Sequence, residues 1–426
     1  MKFIKFLSLL IFTLSLSNFK SQGVNFDGEA YKSIPDFEDQ ALGFSSLPKK
    51  LSLREYAPSV MAQKGNSCVG FALAYSALSI MHNYKLGIKS SSFKDFLPFD
   101  PYFIYSVSHF KTKNKDCLKG TNMEHSIRDL KDYGCKRYFI FPILNCNKTA
   151  KNNHLSLSKP YRINGYSKFS ESVMRDQKML ITKTKDAISS GRPVVIGVKS
   201  TNSMYNKGFN DGTVSSNGLW IPGKYEKNLG GHAVTIIGFD DDKFGGSVEI
   251  MNSWGENYGD DGFMWVKYSD LTKILIKAFV MEIDDYKGWV EGYGCKYGNC
   301  FNDYGQNHYK NREGSKTIEE GVFEQGLENG PFIMVKSDYA IIMQFKNGKL
   351  HGKGYAYSQK EEKLYSLKYK NGIAKKHDEL GFNPETISST DEEYDTFIEE
   401  RIGEAYKSNI NADEEIYKIV EKQLKK

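Results

Sequence analysis

Three residues that together could carry out nucleophilic chemistry lie in three separate segments of the chain: Cys68, His232 and Asn252. A thiol is a weak nucleophile until it becomes a thiolate, so a nucleophilic cysteine needs a base that takes its proton. The base in turn needs a group that holds it in the right tautomer. Cysteine, histidine and asparagine, in this order along the chain, meet these needs. The pattern predicts a cysteine peptidase.

Cys68 opens a segment that is predicted to be a helix, ending at Leu86 before Gly87. Apolar residues occupy nearly every side of this helix, which indicates that it is buried. Ser67 has the side chain of an N-cap, so Cys68 is expected in the first helical turn. Unpaired backbone N–H groups and the helix dipole favour negative charge there, and they would lower the cost of forming a thiolate.

His232 and Asn252 both belong to predicted strands. His232 begins the strand 232–239 directly after Gly231, and Asn252 ends a later strand. The asparagine oxygen could accept from one ring nitrogen of the histidine, and Trp254 could cover that hydrogen bond and exclude water. Taken singly, a cysteine is often simply buried and a histidine is usually a surface or core residue. The joint pattern favours a catalytic site, with Gly231 and Trp254 as candidate substrate-binding residues.

The order of predicted elements indicates an α+β fold. Helices come first, with a second predicted helix at 123–133 that Gly134 ends. A helical half followed by a sheet half is typical of this class. Strands are predicted at 192–199, 232–239, 248–252, 262–268 and 278–283.

At these residues the chain resembles the papain family of cysteine peptidases. The match runs over 47–285, and its strongest elements are Ser-Cys-x-x-Phe-Ala at 67–72, Gly-His-Ala-Val at 231–234 and Asn-Ser-Trp-Gly at 252–255. The resemblance implies a two-lobed fold, with the active-site cleft between a helical lobe and a β-barrel-like lobe. Residues 47–285 are therefore predicted to form a papain-like cysteine peptidase domain.

The resemblance also implies a mechanism. Cys68 would be the nucleophile that attacks a peptide carbonyl, His232 the base and later the acid, and Asn252 the residue that orients the imidazole. An acyl-enzyme would form and then be hydrolysed. The substrate would be a peptide or a protein, and no cofactor is implied. No cluster in the sequence has zinc-ligand spacing, so no metal site is predicted.

Two further site residues follow from the resemblance. The family stabilises the oxyanion with a glutamine upstream of the nucleophile, and Gln63 is the candidate, five residues before Cys68 where the family usually has six. Gly120 matches a glycine whose backbone pairs with extended substrate, although an ordinary turn glycine is an alternative. Val69 replaces the tryptophan that commonly follows the nucleophile.

Two other functions stay open at this point. The first is a catalytically inactive papain-like binding protein, which the displaced Gln63 and the missing tryptophan favour. The second is a thiol-dependent acyl transferase on the same scaffold, which would share the acyl-enzyme and differ only in the acceptor. The intact set of Cys68, His232 and Asn252 favours an enzyme.

The N-terminus has the pattern of an export signal. Lys2 and Lys5 flank a short basic region, and residues 6–16 are apolar but too few to span a bilayer. Residues 1–21 are therefore predicted to be a signal peptide, and the protein to be secreted or periplasmic, with no transmembrane segment. Residues 22–46 form a short polar segment without a long helix. We expect no long inhibitory propeptide there, so control would come from elsewhere, or the exported enzyme would already be active.

Composition limits the remaining classes. The chain has 426 residues, of which 40% are hydrophobic, enough for two or more domains. The net charge of +6 is the small difference between 58 basic and 52 acidic residues, and no basic block concentrates it. Nucleic acid is therefore not an expected partner.

Export permits disulfide bonds among the six cysteines. Cys68 would have to stay free, which leaves an odd number, so one more thiol must be unpaired or pair with another chain. Cys295 and Cys300 are close enough in sequence to bridge a tight turn. The sequence leaves open how the other three pair: Cys117, Cys135 and Cys146.

The last part of the chain carries a repeat. Aromatic residues followed by a turn with glycine recur at Gly326, Gly348 and Gly372, spaced by twenty-two and twenty-four residues. Each unit is predicted to be a β-hairpin that stacks on its neighbours, and the units resemble MORN repeats. Residues 286–378 are therefore predicted to be a small all-β module whose exposed face could bind a partner. Residues 379–426 form a charged tail with a predicted C-terminal helix.

Overall fold

The structure is a computed structural model of the 426-residue chain, and it describes most of the residues between 23 and 379. The predicted signal peptide at 1–21 and the predicted helix in the tail beyond 379 lie outside the described residues, as do Cys117 and Cys146. Among the helices of the described part, none has the length and apolar character that crossing a membrane requires. The described ranges are 23–38, 47–89, 94–95, 97–110, 119–138, 158, 161–205, 213–215, 217–223, 226, 228–284, 295–298, 300–302, 304–310, 316–336, 339–358 and 363–379.

The predicted central helix is present and buried. It consists of the consecutive segments Cys68–Gly70, Phe71–Leu78 and Ser79–Leu86, of which the middle one has the wider hydrogen bonding of a π-helix. Gly87 ends the helix in the left-handed conformation, with φ 65°, as a C-terminal glycine does. Ser67 occupies the predicted N-cap position, and Cys68 lies in the first turn. The Ser67 side chain does not cap the helix, because its hydroxyl donates to the Lys64 carbonyl at 2.8 Å.

The other helices surround this central one or connect strands. The helix at Met123–Tyr133 has the predicted bounds, because the Asn122 side chain accepts from the His125 N–H at 2.9 Å and Gly134 follows its last residue. The remaining helices are Gly28–Lys32, Pro101–Phe110, Glu171–Arg175, Gln177–Ser189, Asn202–Tyr205 and Tyr268–Ile274.

A nine-stranded, mostly antiparallel sheet packs against the central helix in the described part of the chain. Its strands are β2 Lys50–Ser52, β4 Gly165–Lys168, β5 Val194–Thr201, β6 Thr213–Val214, β7 Leu219–Ile221, β8 Asn228–Asp240, β9 Ser247–Met251, β10 Phe263–Lys267 and β11 Leu275–Glu282. The order across the sheet is β4, β11, β5, β8, β9, β10, β7 and β6, with β2 paired to one end of β8. The five strands predicted from the sequence are all present as β5, β8, β9, β10 and β11.

A separate pair of short parallel strands joins the N-terminal segment to the helical lobe. It consists of β1 (Val24–Asn25) and β3 (Thr121–Asn122). The two strands are almost a hundred residues apart in the sequence. The pairing therefore brings the first described residues beside Gly120, in the interior of the molecule.

The C-terminal region is an eight-stranded antiparallel sheet in which each strand pairs with the next along the chain. The predicted hairpins are present, with two-residue turns at Gln325-Gly326, Asn347-Gly348 and Asn371-Gly372, in which both residues have positive φ. Cys295 and Cys300 form a disulfide bond at its first strand. The strands are β12 Cys295–Gly298, β13 Tyr304–Lys310, β14 Lys316–Glu324, β15 Leu327–Lys336, β16 Tyr339–Lys346, β17 Lys349–Ser358, β18 Lys363–Lys370 and β19 Ile373–Glu379.

The two sheets share a core. Ile318, Ile333 and Val335 of the C-terminal sheet are buried in the same apolar cluster as the central helix. Arg137 of the helical lobe is also fully buried, and it pairs with Glu320 of the C-terminal sheet. The predicted α+β class is thus confirmed, and the β-rich region at the end of the chain packs directly on the helical lobe.

Candidate active site

His232 and Asn252 are joined by a buried hydrogen bond. Strand β8 carries His232, and Asn252 follows the last residue of the adjacent strand β9. The His232 Nε2 atom lies 2.9 Å from the Asn252 Oδ1 atom, which also accepts from the Ser253 N–H at 2.9 Å. Because an amide oxygen only accepts, Nε2 carries the proton and Nδ1 is left as the basic nitrogen.

Trp254 covers this hydrogen bond. Its ring stacks on the His232 imidazole, with ring centroids 4.8 Å apart and planes inclined by 26°. Tyr205 stacks on Trp254 at 4.7 Å, and Tyr258 meets it edge-on at 4.9 Å. Neither tyrosine was predicted as a site residue, because Tyr205 lies in a different segment and neither belongs to the Asn-Ser-Trp-Gly motif. This aromatic cluster shields the imidazole from water and restricts its rotation.

Cys68 is the first residue of the central helix, and its side chain is fully buried. Its sulfur interacts with the backbone N–H group of Ala233, the residue after His232. The thiol therefore lies against strand β8 at the histidine. Among the described residues, no hydrogen bond joins the sulfur to the imidazole.

Burial shifts the pKa values of Cys68 and His232 in opposite directions. Burial raises the pKa of the Cys68 thiol to about 12, although the backbone N–H groups of Ala233, Val69 and Cys68 oppose the shift. Burial also lowers the pKa of His232 to about 4, against the hydrogen bond with Asn252. Both shifts favour the neutral thiol and the neutral imidazole. A thiolate–imidazolium pair therefore requires that water or a polar substrate enter the cleft.

Gln63 is held beside the residue that follows Asn252. Its Oε1 accepts from the Ser253 hydroxyl at 2.6 Å, and its backbone N–H donates to the Ser253 carbonyl at 2.7 Å. Its Nε2 donates to the Gly65 carbonyl at 2.8 Å, which uses one of the two amide protons. These bonds fix the side chain and leave one N–H of the amide for another acceptor. Ser253 was not predicted as a site residue, although it belongs to the Asn-Ser-Trp-Gly motif that contains Asn252.

The N-terminal segment lies in the cleft, over the thiol. A methyl group built on Gly23 would stand only 2.6 Å from the Cys68 sulfur, so the backbone of this residue touches the thiol. The Gly23 carbonyl accepts from the Thr121 N–H at 3.1 Å, and the Asn25 side chain donates to the Gly120 carbonyl at 3.3 Å. No feature of the sequence predicted that residues 22–46 would lie at the thiol, and the structure places their first described part there.

Gly231 also faces this segment. A methyl group on Gly231 would lie 3.2 Å from the Val24 side chain and 3.2 Å from the Phe26 ring. Gly231 and Gly120, both predicted to contact substrate, therefore line the two sides of a channel that the chain itself occupies. Among the described residues, no group of three or more histidine, cysteine, aspartate or glutamate side chains is placed to hold a metal ion.

The chain is similar in sequence to a known protein family and to a curated relative. The family model described as "Papain family cysteine protease" matches residues 62–282, just over half of the chain. A curated relative, the uncharacterized peptidase C1-like protein L477 of Acanthamoeba polyphaga mimivirus, is 25% identical over 233 residues, which cover 53% of this chain and 69% of the relative.

Two solved structures are similar to part of the chain. Xylellain, a cysteine protease from Xylella fastidiosa, is similar with a TM-score of 0.51 and 21% identity, over 62% of this chain and 96% of that one. Procathepsin B S9 from Trypanosoma congolense matches with a TM-score of 0.47 and 14% identity, over 62% of this chain and 87% of that one. The similarity to xylellain shows that the fold is papain-like.

Proposed function

Because the chain belongs to the papain family of cysteine proteases, we propose that it is an exported enzyme that hydrolyses peptide bonds through a Cys68 acyl-enzyme. The observation that supports this most is the buried hydrogen bond of 2.9 Å between His232 and Asn252, under the ring of Trp254. It leaves Nδ1 of the imidazole as a base on the strand that the Cys68 sulfur contacts. The substrate is a peptide or a protein.

Proton transfer from the thiol to His232 starts the reaction. Nδ1 takes the proton, and the thiolate then attacks the carbonyl carbon of the scissile peptide bond. The imidazolium returns the proton to the departing amine, which leaves a thioester on Cys68. Water then attacks the thioester with His232 as base, and the free acid and the thiol are released. Asn252 holds the imidazole in the tautomer that both half-reactions need.

The oxyanion of the tetrahedral intermediate needs fixed donors. The free N–H of the Gln63 amide and the backbone N–H of Cys68 are the groups that we assign to it. Support for Gln63 comes from its two bonds to Ser253, which orient the amide before substrate arrives. A preorganised donor stabilises developing charge without reorganising during the reaction.

The rest of the chain has supporting roles in this proposal. Residues 1–21 direct export and are removed, residues 47–285 form the catalytic unit, and residues 286–378 are MORN-like hairpins that bind a partner or position the enzyme. The hairpin turns, in which both residues have positive φ, support a repeat architecture. The disulfide bond between Cys295 and Cys300 supports an oxidising compartment.

The proposal is tested by following peptide hydrolysis and labelling by a thiol-reactive probe in one time course. Wild type is expected to cleave members of a peptide library and to be labelled, and Cys68→Ser is expected to do neither. Cys135 is another free, buried thiol of the described part of the chain, so Cys135→Ser is the matched control and should keep both properties.

Other results would select the alternatives. A wild type that cleaves no peptide would overturn the proposal and favour an inactive papain-like binding protein. Cleavage that gives amide products when amines are added, with little free acid, would favour an acyl transferase over a hydrolase.

A further inference from the structure

The last two hairpins of the C-terminal sheet have an apolar face and a basic face. On the apolar face, Phe345, Leu350 and Tyr369 of three neighbouring strands pack in one cluster. Successive residues of a strand lie on opposite faces of its sheet, so the sequence neighbours of these three residues occupy the other face. Four of those neighbours are exposed lysines, namely Lys346, Lys349, Lys368 and Lys370.

The strand register places lysines directly opposite one another. Lys346 is paired with Lys349 across the turn of one hairpin. Lys368 occupies the register position between Lys353 and Lys376, which belong to the two adjacent strands. Like charges in directly opposite positions destabilise a sheet. The sheet is therefore stabilised by an anionic group that lies along this face.

The fold of the sheet, and not a run of sequence, brings these charges together. Residues 339–379 contain nine lysines and four acidic residues. Lysines often protect an exposed edge strand from pairing with another chain, and β19 is the last strand of the described sheet. Lys368 and Lys370 lie on the inner strand β18, which needs no such protection. No carboxylate of the described residues forms an ion pair with any of the four exposed lysines.

The sequence that follows β19 carries the opposite charge. Residues 391–400 contain six acidic residues and no basic one. The connection from Glu379 consists of residues 380–390, and a chain of that length can extend over roughly 36 Å. Three neighbouring strands span only about 10 Å, so the acidic residues can reach all the lysines without strain. A tether of this kind also keeps the local concentration of the acidic stretch high.

We propose that the acidic stretch 391–400 binds the basic face of the last two hairpins within the same molecule, where the basic face is defined by Lys346, Lys349, Lys368 and Lys370. The carboxylates neutralise the lysines that the register sets opposite one another. They also cover a surface that would otherwise attract anionic polymers. The inference goes beyond peptide hydrolysis, and it holds whether or not Cys68 is catalytic.

Carbodiimide cross-linking of the full chain tests the inference, because this reagent joins an amine to a carboxylate only where the two are in contact. Mixing isotopically heavy and light protein separates links within one molecule from links between two molecules. At low salt, mass spectrometry of the digest is expected to find links between the basic face and residues 391–400 within one molecule. These links should disappear at 1 M salt, where the Debye length falls to about 3 Å.

Two other cross-linking results would overturn the inference. Links between heavy and light chains alone would show that a second copy occupies the basic face. Links spread equally over other exposed lysines, such as Lys178 of the helix Gln177–Ser189, would show that the acidic stretch has no fixed site.

The rate at which lysines are acetylated gives an independent measurement. In the full chain with Asp391→Asn, Glu392→Gln and Glu393→Gln, the rate at Lys368 should rise at least about threefold, because the ion pairs that shield the amine are lost. Lys178 is the matched control, and its rate should not change. Circular dichroism verifies that the variant is folded. An unchanged rate at Lys368, or an equal change at both lysines, would contradict binding of the stretch to the basic face.

Discussion

Arg137 and Glu320 form a buried ion pair that connects the helical lobe to the C-terminal sheet. The Arg137 Nε atom lies 3.2 Å from the Glu320 carboxylate, and neither side chain is more than 1% exposed. The guanidinium also stacks on the Phe99 ring, at 3.9 Å from its centroid. A buried charge that loses its partner keeps the cost of leaving water without the compensating attraction. The C-terminal sheet is therefore part of the folded enzyme body.

Replacing Glu320 should destabilise the whole chain. Glu320→Ala is expected to lower the free energy of unfolding by about 3–5 kcal/mol, since the buried Arg137 guanidinium loses the carboxylate that it pairs with. Glu324→Ala is the matched control, because Glu324 is an exposed glutamate of the same strand and should change stability by less than about 0.5 kcal/mol. Denaturant unfolding, followed by circular dichroism, measures both. Equal effects of the two substitutions would contradict the importance of the pair.

The catalytic roles predict a graded loss of activity. His232→Ala should lower kcat/KM by about 10²–10⁴ or more, since it removes the base and acid. Asn252→Ala should lower it less, because asparagine orients the ring and exchanges no proton. Rates of peptide hydrolysis at saturating and at limiting substrate concentrations give kcat and kcat/KM. If His232→Ala kept a rate near that of wild type, the assigned base would be wrong.

Gln63 offers a test of the oxyanion donor. Gln63→Ala should lower kcat by about 10²–10³, the usual loss for one donor. Ser253→Ala removes the hydroxyl that holds the Gln63 Oε1 atom and should cost less, because the backbone bond between the two residues remains. The thermal midpoints of both variants serve as the structural control. A larger loss in Ser253→Ala than in Gln63→Ala would reverse the assignment.

His232 also predicts how stability depends on pH. Burial lowers its pKa from 6.5 to about 4, so the folded state binds the proton more weakly than the unfolded chain does. Its contribution to stability is therefore fully present above about pH 6.5 and is lost as the pH falls toward 4. The difference in free energy of unfolding between wild type and His232→Asn should shrink over this interval. A difference that stays constant from pH 7 to 4 would show that the folded and unfolded states titrate alike.

The contribution of the Cys68 thiol to stability changes with pH in the opposite direction to that of His232. Burial raises the pKa of Cys68 from 9.0 to about 12, so its contribution to stability is present below pH 9 and declines as the pH rises toward 12. Alkylation of Cys68 in the resting enzyme should accordingly increase up to at least pH 10. In Phe26→Ala, the rate should level off at a lower pH, because water reaches the sulfur. Identical pH profiles would indicate that residues 23–26 do not control access to the thiol.

The parts of the fold that local sequence determines could be predicted. The helix at Met123–Tyr133 has its expected bounds because its capping asparagine and its terminal glycine are adjacent to it. The two-residue turn at Asn347-Gly348 has the conformation that this pair favours. The three motifs predict the candidate site for the same reason, since each combines a polar side chain with the turn or strand that positions it.

Contacts between distant segments could not be predicted in this way. The Ser67 hydroxyl donates to the Lys64 carbonyl, a bond that depends on the folded loop before the helix. The partner of Arg137 is nearly two hundred residues away, and charged side chains are rarely buried. The position of Gly23 on the thiol depends on a strand pairing without any local signal, because a two-residue strand has too few side chains to show a pattern.

Trp254 has an optical consequence. An indole in face-to-face contact with an imidazole loses much of its fluorescence when that imidazole becomes a cation, because the cation accepts an electron from the excited ring. Since the Trp254 ring stacks on His232 at 4.8 Å, its emission is expected to follow the charge of the His232 imidazole. The difference spectrum between wild type and Trp254→Phe therefore records activation of the enzyme in real time, without an added label.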